Sequence, residues 1–208
     1  MNLQQSLVGS GRLRWLDVGS GGEFAPNFHY LDIFPEGLVP SDLKSKYFRV
    51  DILNASDERL SRLGKFSLVR LQHTIEHFDF EAGVRVIVNC AKLLEPDGYL
   101  LVTAPDLKLY AEAYIAGKLQ ELPGFVEWAQ NRIPKDAPAS AYFSVFAHSM
   151  TYESHKWCYD YQGLEYLIAS TGRFTNIHRL SLDSEESSVP FTHNRPDEDV
   201  CVLAQLGR

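Results

Sequence analysis

Long apolar runs are missing from this 208-residue chain. No stretch approaches the roughly eighteen apolar residues that a membrane-spanning helix needs, so no membrane partner is expected. The segment Met1 to Arg14 has no long apolar core behind a positive start, so no export signal is read there either. Cysteine is scarce: Cys90, Cys158 and Cys201 are odd in number and widely spaced, which fits neither a disulfide framework nor a zinc pattern. A reduced, cytoplasmic setting is the expectation. Lys/Arg clusters are lacking too, and with a net charge of −7 a nucleic-acid partner is not expected. No internal repeat or low-complexity tract appears. What is present is 45% hydrophobic residues over 208 positions, enough to bury one good-sized core, and the chain is read as a single domain over 1–208.

The most informative segment is Leu16-Asp17-Val18-Gly19-Ser20-Gly21-Gly22. Arg14 to Val18 reads as a buried strand, and the glycines after it let backbone N–H groups approach a ligand that a Cβ would hold away. A dinucleotide would ask for G-x-G-x-x-G, a helix, and an acid about 20 residues on. Gly19 and Gly21 match, but Phe24 stands in place of the third glycine and Asp32 comes too early. The stretch from Gly19 to Phe28 also contains Pro26, and a crossover with its own helix takes at least about ten to twelve residues. The spacing disfavours a dinucleotide. A plain glycine turn with no ligand stays open from this motif alone.

Further apolar runs at Phe28–Ile33, Tyr47–Ile52, Phe66–Leu71, Tyr99–Ala104, Phe174–Leu180 and Val200–Leu206 read as strands. Helices are expected over Ala55–Leu63 with Ser56 as cap, from Asp79 to a stop at Pro96 and Gly98, and over Gly163–Thr171 closed by Gly172. Such alternation predicts a mostly parallel α/β sheet covered on both faces, with an edge that can turn antiparallel. Ligands in such sheets sit beyond the carboxyl ends of the strands, which would gather Asp17, Asp32 and Asp51 along one rim. Each of these also suits a turn. The aromatic-rich, proline-broken stretch 107–150 is read as an inserted cap over the crevice, with a plain packed appendage as the equal alternative.

Taken together, Leu16–Gly22, Asp32, Asp51, His73-Thr74-Ile75-Glu76-His77 and Ala91-Lys92-Leu93-Leu94-Glu95-Pro96-Asp97-Gly98-Tyr99-Leu100-Leu101-Val102 resemble the class I S-adenosylmethionine-dependent methyltransferases. The likeness runs through most of the chain. It is strongest to small members with a shortened first helix, which share Pro105-Asp106-Leu107 and the later His155-Lys156-Trp157-Cys158-Tyr159-Asp160. The resemblance implies a Rossmann-like, doubly wound, seven-stranded sheet with an antiparallel edge strand. It also implies S-adenosylmethionine as cofactor. The Gly19, Ser20 and Gly21 turn would lie under the methionine moiety, with Asp17 near its ammonium. Asp32 and Ile33 would meet the ribose, Asp51 and Ile52 the adenine, and Gln72 and His73 would close the methionine side.

Methyl transfer is an in-line displacement that needs alignment, and a base only where the acceptor must lose a proton. His155, His77 and His148 are the candidate bases, because imidazole titrates near neutrality. Glu76 either orients His77, carries charge at the crevice or is structural. Arg70, a charge in a strand that should be buried, either pairs with a rim carboxylate or marks an anionic substrate. His73 and His77 have an i, i+4 spacing, but the first sits at a strand end and no metal is expected. The activity implied is methyl transfer to a small-molecule or glycan-like acceptor. The alternative is a scaffold that keeps the fold without turnover.

Overall fold

The computed structural model describes residues 14–122, 138, 155–180 and 198–207. β1 (Trp15–Val18) is buried on both sides. Leu16 and Val18 enter one apolar layer and Trp15 the other, as the two-residue period of a strand requires. β2 (Phe28–Asp32), β3 (Tyr47–Arg49), β4 (Phe66–Gln72) and β5 (Leu94–Pro105) follow, and β6 (Phe174–Arg179) and β7 (Asp199–Leu206) complete the sheet. The strand order is β3-β2-β1-β4-β5-β7-β6. Pairs among β1 to β5 are parallel, while β7 is antiparallel to both β5 and β6. This is the seven-stranded, mostly parallel α/β sheet expected, with its antiparallel pairings at the β6 end. The strand that reverses is β7, one in from that edge.

The helices follow their caps. In α1 (Asp57–Ser61) the Arg59 amide donates to Ser56 Oγ. In α2 (Phe80–Leu93) the Ala82 amide donates to Asp79 Oδ1 at 2.8 Å. α3 (Leu107–Ile115) starts on Asp106, whose Oδ1 accepts from the Lys108 amide. α4 (Tyr161–Ser170) starts on Asp160, which accepts from the Gly163 amide. Each such cap satisfies one amide that the first helical turn leaves open.

α2 and α4 lay Val86, Ile87, Leu93, Leu164, Leu167 and Ile168 on the sheet face that carries Leu16, Val69, Leu71 and Val102. Each of these large side chains, fully buried, contributes about 1.5–3 kcal/mol. The opposite face carries Trp15, Phe28, Tyr30, Leu68, Leu101 and Leu203, against which Phe24, Phe34 and Leu43 pack from loops.

Three element lengths differ from expectation. β3 stops at Arg49 because Asp51 closes a turn, its Oδ1 accepting from the Leu53 amide at 2.9 Å. α1 is five residues long, within the longer helix expected. β5 begins at Leu94, before Pro96 and Gly98, because Leu94 pairs with Phe66 across an irregular step in the register. Asp97 takes a left-handed φ of 59° within that step. Most of the cap read over 107–150 lies outside the described residues, beyond α3 and the short 3-10 turn Leu119–Glu121.

No helix among the described residues is long and apolar enough to cross a membrane.

Candidate functional site

At the carboxyl end of β1 the chain turns through Gly19 and Gly21, with φ of 78° and 60°. That left-handed region is open to glycine at no steric cost. A Cβ on Gly19 would stand 2.4 Å from Thr74 Cγ2. The Thr74 hydroxyl lies 3.2 Å from the Val18 and Gly19 carbonyls and 3.0 Å from that of Gln72, joining the ends of β1 and β4. Gly19 is therefore required by the packing of the next strand as much as by any ligand.

Asp32 ends β2 beside this turn. Its Oδ2 accepts from the Gly21 amide at 2.7 Å and from Ser20 Oγ at 3.3 Å, and its Oδ1 accepts from the Phe34 amide at 3.0 Å. The carboxylate is thus held in one orientation and remains only half-buried. Ile33, next along, is 66% exposed, an apolar surface open at the rim. Tyr47 donates its hydroxyl to the Phe34 carbonyl at 2.6 Å and so pins the loop that follows Asp32.

The other rim residues sit differently. Asp17 points into the sheet face, where Arg70 donates to both its carboxylate oxygens, at 3.0 and 2.5 Å. The guanidinium also covers the Phe28 ring at 4.2 Å. Of the two readings for Arg70, the pairing with a rim carboxylate is the one found. Asp51 is exposed and accepts from the Leu53 amide and from Asn54 Nδ2. Ile52 is a core residue, and its carbonyl accepts from Asn89 Nδ2. Gln72 is buried at the end of β4.

Past β4 lies a knot of titratable groups. His73 takes a left-handed φ of 48°, with Nε2 at 2.8 Å from Asp199 Oδ2 and Nδ1 at 3.5 Å from Glu76 Oε1. Burial works against the charged ring, but the Asp199 and Glu76 carboxylates outweigh it and raise His73 to about 10. Burial likewise penalises the Glu76 carboxylate, yet His73, His77 and His155 hold its pKa below the ordinary value. His77 ends the 3-10 turn Ile75–His77, and its ring meets that of His155 at 5.1 Å, edge to face. The amides of Lys156 and Trp157 donate to the Glu76 carbonyl and strap the His155 segment in place. His77 and His155, two of the candidate bases, are thus brought together, and His148 lies outside the described residues.

Asp199 was not anticipated. It reaches His73 because the antiparallel β7 sets Asp199 opposite Pro105, at the carboxyl rim of β5. Glu198 next to it accepts from the Tyr110 hydroxyl at 2.6 Å. The only sequence signal for either is an acidic run just before an apolar strand.

No family model and no curated protein matches the sequence. The fold does match solved structures. The S-adenosylmethionine-dependent methyltransferase SibL is similar over 96% of this chain and 52% of its own, with a TM-score of 0.55 at 16% identity. Human N-acetylserotonin methyltransferase, solved with S-adenosylmethionine, matches over 96% and 49%, with a TM-score of 0.55 at 13% identity. A S-adenosylmethionine-dependent methyltransferase from Clostridium acetobutylicum matches over 99% and 89%, with a TM-score of 0.54 at 14% identity. The chain spans about half the length of the first two. It has the Rossmann-like fold of the class I methyltransferases.

Proposed function

We propose that this protein is an S-adenosylmethionine-dependent methyltransferase acting on a small-molecule or glycan-like acceptor. The observation that carries this reading is the Asp32 carboxylate, oriented by the Gly21 amide at the end of β2 and half-open to the rim. A ribose diol is a natural partner for such a fixed acceptor pair. Ile33 offers an apolar contact beside it, and the Gly19–Gly21 turn leaves room for a close approach to backbone. Methyltransferases of the same fold have been solved with this cofactor bound, as in the human N-acetylserotonin enzyme. When bound, the cofactor supplies an electrophilic methyl group on a sulfonium.

The chain's own residues then have to hold and align. Asp32, with Ser20 and Gly21 behind it, fixes the ribose end. Asp51 and the backbone at Ile52 lie next along the rim for the base, and Gln72 and His73 stand on the methionine side. Asp17 acts through the shape of the turn, since Arg70 engages its carboxylate, and not as a direct ligand of the ammonium. His77 and His155, with His148, are the groups proposed to accept a proton from the acceptor. The stretch 107–150 is proposed as an inserted cap over the crevice.

The second reading, a fold kept without turnover, draws on that same Asp17–Arg70 pair, which takes one rim carboxylate out of play. Calorimetric titration with S-adenosylmethionine and S-adenosylhomocysteine tests the proposal. Binding in the micromolar range is expected, and Asp32→Ala should weaken it by about one to two orders of magnitude, the loss of charge-assisted hydrogen bonds. No binding of either compound at high micromolar concentration would sink it. Binding with no detectable methyl transfer to any offered acceptor would leave the second reading.

A further inference from the structure

We propose that Glu76, His77 and His155 form a binding site for one divalent first-row transition ion, with Zn2+ the best fit to its donors. One atom from each of the three side chains lies within 4.8 Å of the other two. Two imidazoles and a carboxylate are a donor set that suits zinc and its neighbours in the first row.

The burial argues that the cluster is more than a chance meeting of polar groups. The Glu76 side chain is 3% exposed, yet among the described residues neither of its oxygens receives a hydrogen bond. His77 Nδ1 is buried in the same state. Glu76 Oε1 has the His73 ion pair at 3.5 Å, but Glu76 Oε2 and His77 Nδ1 have no hydrogen bond among the described residues. Such buried atoms cost about 1–3 kcal/mol each, and two of them in one place call for an occupant. A carboxylate flanked by two imidazoles would normally take a hydrogen bond from one of them. Here the rings stand edge to face at 74°, with their centroids 5.1 Å apart.

The scaffold around the three is stiff. His77 is fixed by the 3-10 turn after β4, and its amide donates to the Thr74 carbonyl. His155 is held by the two amides that follow it, which donate to the Glu76 carbonyl at 2.8 and 3.2 Å. Behind Glu76 stands His73, Nδ1 at 3.5 Å, itself fixed by Asp199. Metal-bound carboxylates commonly have such an outer hydrogen-bond partner. A tetrahedral ion with bonds near 2.1 Å wants donors about 3.4 Å apart, so from separations of up to 4.8 Å the three must close by up to about 1.4 Å, within reach of imidazole torsions.

Three protein donors leave at least one coordination position open. An oxygen of a methyl acceptor bound there would lose its proton to solvent more easily, and His77 and His155 would then serve as ligands in place of the base role proposed above. This use rests on the methyltransferase reading. The site itself does not.

The test uses the protein alone, freed of metal by dialysis against EDTA and then titrated with Zn2+ by calorimetry and with Co2+ by visible absorption. One equivalent with micromolar or tighter affinity is expected, with the intense d–d bands of a four- or five-coordinate cobalt site. His155→Ala, at a partly exposed position where the fold should survive, should weaken Zn2+ binding about a hundredfold. Glu76→Gln should do the same, and His178→Ala, at an exposed position on β6, should change nothing. No Zn2+ binding below about 1 mM, or His155→Ala with wild-type affinity, would overturn the site. Because no cofactor is added, failure of the cofactor titration described above leaves this result standing.

Discussion

Asp17 and Arg70 occupy partner positions on the adjacent parallel strands β1 and β4, and the guanidinium takes both carboxylate oxygens in a pocket that excludes water. The side chains are 3% and 0% exposed. A pair this deep is weak as a source of stability but costly to break from one side only, because the survivor is a buried charge.

Arg70→Met should therefore destabilise the protein by about 3–5 kcal/mol, and Asp17→Asn by a similar amount. The double variant Asp17→Asn/Arg70→Met should lose much less than the sum. Urea unfolding of the four proteins measures this cycle, and simple additivity would show that the two residues do not act as a unit.

Gly19→Ala should cost more than about 2 kcal/mol, since a left-handed alanine costs about 1–2 kcal/mol by itself and its Cβ would also press on Thr74. Gly37→Ala is the matched control, because nothing lies within 4 Å of a Cβ there. Thermal denaturation should show a clear fall in Tm for the first and almost none for the second. Equal effects would mean that Thr74 does not dictate Gly19.

Tyr47 supplies a pH prediction. Burial pushes its hydroxyl up to about 12, and the nearby Asp32 charge adds to this. The folded protein resists ionising this group, whereas the unfolded chain ionises it near pH 10. Its contribution to stability is therefore complete below pH 10 and is lost between about pH 10 and 12. Tyr47→Phe should lower stability at neutral pH by about 1 kcal/mol, through the hydrogen bond to the Phe34 carbonyl, and flatten part of the alkaline decline. A wild-type decline unchanged in Tyr47→Phe would assign it to other groups.

Much of the sheet was legible in the sequence because burial leaves a period: the cores of β1, β2, β4 and β7 each stand inside an apolar run, and Ser56 and Asp79 cap helices as their side chains suggest. Periodicity reports burial and not hydrogen bonding. That is why the run to Ile52 reads as strand while Asp51 has already turned the backbone. Arg70 left its mark as a charge in an apolar strand, so its partner could be sought among a few carboxylates. The meeting of His73 with Asp199, and of His77 with His155, left no such mark. Those contacts depend on the direction of β7 and on the strap to the Glu76 carbonyl, which no local pattern encodes.

The reversal of β7 also orders events in time. Among the described residues β6 has β7 as its sole neighbour in the sheet, and β7 comes later in the chain. During synthesis β6 emerges before β7, so it has no sheet partner among the described strands until β7 lies between it and β5. Closure of the sheet is then a late, long-range step, and the His73–Asp199 contact forms only with it. A nascent chain lacking β7 exposes two open strand edges, on β5 and β6, and the interval before closure is when this protein is most open to mispairing with another copy.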